Sequence, residues 1–225
     1  MALEFSSARR SVALAAEGRV LAAAGEDAPP CGGPLHLVRS VCQKAGVSPA
    51  EIEGIAVGLG PGSYTGVRVA IALAQGWQLA RGIRLLGISS VEVMARQALD
   101  RQWFGGLSLV VDAQRGEYYL ARYAIAPGRA EESAKLRLAR REEVLERIAA
   151  GDRVAGPDPV PGATAVASLV PEAATLALLA LGRADFVRGD GLEPVYLREV
   201  SYVKAPPLRA IPPVKGGAEK SENGR

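Results

Sequence analysis

Seven residues, Gly60-Pro61-Gly62-Ser63-Tyr64-Thr65-Gly66, are where this 225-residue sequence looks most capable of chemistry. Glycines that turn a chain into a helix expose free backbone N–H groups, and the helix dipole adds to their pull on an anion such as a nucleotide phosphate. The spacing argues for a simpler role. No Gly-Lys-Ser/Thr follows, and glycines at 60, 62 and 66 miss the dinucleotide fingerprint. Ser63 directly follows Gly62, so the Gly-x-Ser-x-Gly of a nucleophile elbow is missing too. The expected role is a tight strand-to-helix connection, with Ser63 or Thr65 capping the free N–H groups of the helix.

Three other residues raise the same question. Glu4 sits on the first strand, where an acid can face a metal-phosphate site. Phe5-Ser6-Ser7-Ala8 follows it in place of a glycine turn, so a strand-end carboxylate in water is expected. Asp112 reads as a turn acid before Gln114-Arg115-Gly116. His36, the one histidine, has apolar helical neighbours and is expected to pack; its solitude excludes histidine-rich metal sites. Cys31 and Cys42 have no metal-ligand spacing and make no disulfide framework, which fits a reducing compartment. No catalytic residue, metal or cofactor is therefore expected in this chain.

The elements that position these residues follow from periodicity. Ala2 to Ser6, Ser11 to Ala16 and Arg19 to Ala24 read as an antiparallel meander with a tight turn at Glu17-Gly18. Pro34 to Ala45 has helical apolar spacing, ended by Gly46, and Ser48-Pro49-Ala50-Glu51 carries a capping box. Ile55 to Val57 is a buried strand, followed by the glycine turn and a helix from about Thr65 to Ala80. Only Arg68, Gln75 and Gln78 interrupt the apolar surface of that helix, which predicts burial on more than one side. Its own sheet covers one side; the other needs a cover. Arg84 to Ile88 is a further strand, and Ser89 with Glu92 forms a capping box for a helix through about Leu99.

After Gly105-Gly106 the pattern restarts. Leu107 to Ala113 and Glu117 to Ile125 form a hairpin, Arg140 to Ala150 an amphipathic helix, Val154 to Gly162 a Gly/Pro loop, and Pro171 to Arg183 a core helix. Pro194 to Arg198 is a short docking segment. The order places the chain in the α/β class, with an actin-like, ribonuclease-H-like fold of two lobes, the second reduced. The expected division is 1–103, 104–204, and a Pro/Gly-rich disordered tail over 205–225. A net charge of +3 from 27 basic and 24 acidic residues makes no case for nucleic-acid binding by itself. The N-terminal MALEFSSARR lacks signal-peptide order and no apolar run is clean enough for a bilayer, so a cytoplasmic location is expected.

The stretch GLGPGSYTGVRVAIALAQGWQLARGIRLLGISSVEVMA resembles the signature of the TsaB (YeaZ) family of bacterial tRNA threonylcarbamoyladenosine biosynthesis proteins. SVALAAEGRV, AGVSPAEIEGIAVGLGPG, VVDAQRGEYYLARY and EPVYLRE extend the likeness over most of the chain up to the tail. The resemblance implies a non-catalytic subunit that pairs with the threonylcarbamoyltransferase TsaD, works with the ATPase TsaE, and supports modification of position 37 of tRNA. It also implies homodimers through the same first-lobe helices. The bet for the partner interface is Val38, Val41 and Cys42 from the first helix, with Tyr64, Arg68, Ala72, Gln75 and Leu79 from the second. The chain departs from the family pattern at Glu4-Phe5-Ser6, where relatives carry Asp-Thr-Ser, and near Pro30-Cys31, where they carry His-Ser. The alternatives are an actin-like nucleotide-dependent enzyme, a protease-like protein, and a self-sufficient homodimer.

Overall fold

The computed structural model describes residues 1–27 and 33–197. Cys31, Arg198 and the expected tail at 205–225 lie outside the described residues. The first half opens with the expected meander: β1 (Ala2–Glu4), β2 (Arg10–Ala16) and β3 (Arg19–Glu26), with Glu17 and Gly18 both at positive φ in the turn. Helix α1 (Pro34–Ala45) ends on Gly46 in the left-handed region, then β4 (Gly54–Gly58), α2 (Tyr64–Arg81), β5 (Arg84–Ile88) and α3 (Ser90–Asp100) follow. The Ser48–Glu51 capping box forms, but around a single 3-10 turn at Pro49–Glu51.

The second half holds β6 (Gly105–Asp112), β7 (Glu117–Ala126), β8 (Arg129–Arg140), α4 (Arg141–Ala149), β9 (Arg153–Gly156), β10 (Val166–Ser168) and α5 (Ala173–Leu181). The stretch expected as a loop from Val154 therefore begins inside a strand. Four residues are too few to show a period, and their place in the sheet comes from long-range parallel pairing with β6. β8 escapes a hydrophobic reading for a different reason. It is a charged edge strand, mostly exposed, and polar edges discourage further pairing.

Each half forms one five-stranded mixed sheet, ordered β3-β2-β1-β4-β5 and β10-β9-β6-β7-β8. Read from the opposite end, the second order repeats the first strand for strand. The reduction is one helix: α2 joins β4 to β5, whereas a loop joins β9 to β10. Residues alternate across the first sheet. Leu3, Val12, Leu14, Ile55, Val57 and Leu85 face α1 and α2, while Ala2, Ala13, Ala56 and Leu86 face Leu176 and Ala177 of α5.

The helices that follow β5 and β10 exchange sheets. α3 buries Val91, Met94, Ala95 and Ala98 against the second sheet, and α5 lies across the first. Ser11 Oγ accepts a hydrogen bond from Ala173 N at 2.9 Å, anchoring the start of α5. The expected Ser89/Glu92 capping box does not form. Ser89 Oγ instead donates to Gly60 O, and Glu92 accepts from Arg183 at 2.9 Å, tying α3 to the chain after α5. Among the described residues no helix is long and apolar enough to cross a membrane.

Leu176 is fully buried where α5 meets the first sheet. Leu176→Ala is expected to lower stability by about 2–5 kcal/mol in urea unfolding, because the rigid sheet cannot collapse into the space left.

Candidate functional site

The glycine turn is shaped by how closely it approaches β1 and the residues that follow it. A Cβ at Gly62 would strike the Ser6 carbonyl, one at Gly66 the Phe5 carbonyl, and one at Gly58 the Glu4 carboxylate. Gly60 and Gly62 also lie at φ of 85° and 147°, where side chains are disfavoured. Ser63 N donates to Ser6 O at 2.6 Å, and Ser63 Oγ accepts from Gly66 N at 3.2 Å as the α2 cap. Thr65, the other capping candidate, is exposed within the first turn.

Glu4 is not the solvated strand-end carboxylate expected from the sequence. β1 is the central strand of its sheet, and Glu4 is fully buried. Its Oε1 accepts from Ser6 N at 2.9 Å, and its Oε2 accepts from Ser90 Oγ at 2.9 Å. Ser90 Oγ in turn accepts from Gly60 N at 3.2 Å, and Ser90 N donates to Gly60 O at 2.8 Å. Burial pushes the Glu4 carboxyl above the usual carboxylate range, against the hydrogen bonds from Ser6 and Ser90. The group therefore pins the turn to the start of α3 from below.

Helix α2 leaves this turn with four distinct sides. Gly66, Val67, Ala70, Ile71 and Ala74 are buried against the first sheet. A second side is taken by the returning chain. Gln75 Nε2 donates to Gly189 O at 2.8 Å, and Gly189 N donates to Gln78 Oε1 at 2.7 Å. Tyr64 stacks on Tyr196 with ring centroids 5.2 Å apart, and the Arg68 guanidinium sits 4.2 Å from the Tyr64 ring. The third side meets α1 across a shallow apolar groove of about 380 Å³ that includes Leu35, Val69, Ala72 and Leu73. The fourth faces outward: Ala72 and Gly76 are exposed there, with Leu79 at 89%.

The expected contact residues do not share one face of the structure. Val38, Val41 and Cys42 are buried in the chain's own core, since α1 spends its apolar stripe covering β2 and β3; of the three, only Val38 lines the adjoining hollow of about 200 Å³ between α1 and α2. Tyr64, Arg68 and Gln75 are engaged by residues 189–196. Ala72 and Leu79 remain on an open face, joined by Leu35, Val69, Leu73 and Gly76, which the sequence reading passed over. For Val69 and Gly76 the signal is the 65/69/72/76/79 spacing along α2; Leu35 lies on α1 and Leu73 off that row. His36 is exposed on α1 rather than packed.

Beyond the N-terminus of α2 lies a cleft of about 720 Å³ between Ser6–Ala8, Gly62–Tyr64 and the Asp112–Arg115 turn. Asp112 Oδ1 accepts from Gln114 N at 2.7 Å and its Oδ2 from Gln114 Nε2 at 3.0 Å, the turn role expected of it. Asp158 lines the same cleft, and burial together with the Asp112 charge raises its pKa. Among the described residues no three His, Cys, Asp or Glu side chains are grouped to hold a metal ion.

Comparison with known proteins agrees with this architecture. Residues 35–170 match the family model of TsaD, tRNA N6-adenosine threonylcarbamoyltransferase. The tRNA threonylcarbamoyladenosine biosynthesis protein TsaB of Escherichia coli is 36% identical over 89 residues, covering 40% of this chain and 38% of that protein. TsaB of Bacillus subtilis is 34% identical over 98 residues, covering 44% and 42%. The chain thus spans about two fifths of the length of the curated relatives it matches. A crystal structure from Pseudomonas aeruginosa, of an uncharacterized protein with similarity to peptidase YEAZ, superposes with a TM-score of 0.72 at 31% identity, covering 88% of this chain and 98% of that one. YeaZ from the same organism gives 0.71 at 29% identity, covering 87% and 98%.

The buried carboxyl sets a pH dependence. With the Glu4 pKa raised in the folded state, the unfolded chain ionises first, so stability falls as pH rises through the folded value. Glu4→Gln is expected to gain on the wild type in thermal melts as pH increases from about 4 to about 8, and to match it most closely at the acid end. A wild type that gains on the variant with rising pH would mean that Glu4 is held ionised.

Proposed function

The chain belongs to the TsaB (YeaZ) family, and from that premise we propose that it is a non-catalytic subunit in the formation of threonylcarbamoyladenosine on tRNA. Its partner is a TsaD homologue, bound through the outward face of α2 and the rim of α1. The observation that carries this reading is the apolar surface around Leu35, Val69, Ala72, Leu73 and Leu79, formed by the open groove beside α1 and the outward side of a helix whose other two sides are occupied. A helix side of this kind is the material of helix-bundle interfaces. Small residues at 72 and 76 let another helix approach closely.

Several features support a supporting rather than a chemical role. Both carboxylate oxygens of Glu4 are used in fixing the turn, and the Ser63 hydroxyl caps α2. The glycines answer to backbone approach at Phe5 and Ser6. The reaction chemistry then belongs to TsaD, with the ATPase TsaE as a further partner and the cytoplasm, where tRNA is modified, as the setting. The same face suits a second copy of the chain when no TsaD is present.

Ala72→Arg tests the assignment without touching the core, since Ala72 is exposed. It is expected to abolish co-elution with the TsaD homologue and to reduce any homodimer to monomers in size-exclusion chromatography, with an unchanged thermal melt. Undiminished co-elution would overturn the assigned face.

A further inference from the structure

At the end of the second sheet opposite the cleft, the turn after α3 and the start of β9 bring two arginines to one indole. Arg101 Cζ lies 5.3 Å and Arg153 Cζ 5.7 Å from the Trp103 ring centroid. Both arginines are exposed, and neither makes an ion pair among the described residues. The adjacent acids are already engaged. Asp100 pairs with Arg96 at 2.9 Å, and Asp152 pairs with Arg147 at 3.4 Å and Arg122 at 3.5 Å. Next to this pair Phe104 is 47% exposed and borders a hollow of about 420 Å³ with Arg96, Leu99, Pro127 and Gly128.

We propose that this patch is an RNA contact that takes a single-stranded or loop segment of the tRNA substrate, with phosphates on Arg101 and Arg153 and a base on Phe104. The inference rests on the tRNA-modification reading above. Guanidiniums laid against an aromatic ring keep their donors in a fixed plane, the arrangement that grips phosphate oxygens bidentately. An exposed phenyl ring beside a hollow offers a stacking surface that every base can use. Total charge does not show this feature, because it says nothing of where unpaired arginines meet exposed aromatic rings. The patch lies on the second sheet, away from the α1–α2 face on the first, so partner and RNA can be held together.

Fluorescently labelled tRNA transcript titrated onto the full-length chain tests the contact directly. Arg101→Glu/Arg153→Glu is expected to weaken binding by at least about tenfold and to shrink the slope of log K against log salt by about 1.4, as for the loss of two single-strand phosphate contacts. Phe104→Ala is expected to weaken binding by about fivefold or more with the slope preserved. Thermal melts and co-elution with TsaD should be unchanged in both variants. The proposal is overturned if the wild type binds no tRNA, or if the double variant binds it equally well. It is also overturned if the arginines serve instead to bind vesicles of anionic phospholipid. Normal co-elution combined with unaltered RNA binding would remove this contact alone. Loss of the functional reading would show differently, as tRNA modification that persists without the chain.

Discussion

The backbone after β1 and the GPGSYTG turn come so close that no side chain fits between them. Cβ atoms at Gly62 and Gly66 would meet the carbonyls of Ser6 and Phe5, and the Ser63 N–H to Ser6 O hydrogen bond closes the contact. Glu4 and Ser90 hold the turn from the other side through Gly60. The start of α2 is thereby fixed in both position and rotation. Once the sheet has taken Gly66, Val67, Ala70, Ile71 and Ala74, the opposite side of the helix can only point outward. A motif that resembles a phosphate cradle in sequence works here as a packing joint.

The repeated strand order explains why this outward side exists at all. Each half builds the same five-stranded sheet, and the helices α3 and α5 exchange sheets to fill the middle of the molecule. α1 and α2 cover the far side of the first sheet, while the second sheet has α4 alone on its far side. The extra helix brings more apolar surface than one sheet can absorb. The returning residues 187–196 take part of it through Gln75, Gln78 and Tyr64, and Leu79 stays in solvent.

The fold was largely legible because its signals are local. The meander, α1 with its Gly46 cap, the buried β4 and the turn into α2 all follow from period, glycine placement and capping residues. What escaped depends on distant pairing. β9 is four residues long and gains its place only beside β6, and β8 is a charged edge without apolar alternation. Which residues of α1 and α2 stay exposed was legible by helix but not by face. Val41 and Cys42 share a stripe with residues that cover β2 and β3, and nothing within α1 distinguishes a core stripe from an interface stripe. The burial of Glu4 is hidden from the sequence because β1 looks like a terminal strand there and is the central strand in space.

Side-chain oxidative footprinting of the chain, alone and mixed with the TsaD homologue proposed as its partner, tests the central claim most directly. Leu35 and Leu79 are open in the free chain, and the account predicts that both become strongly protected in the complex while Phe104 keeps its reactivity. Unchanged oxidation of Leu35 and Leu79, with protection appearing instead at Tyr64 and Tyr196 beside the cleft, would contradict it.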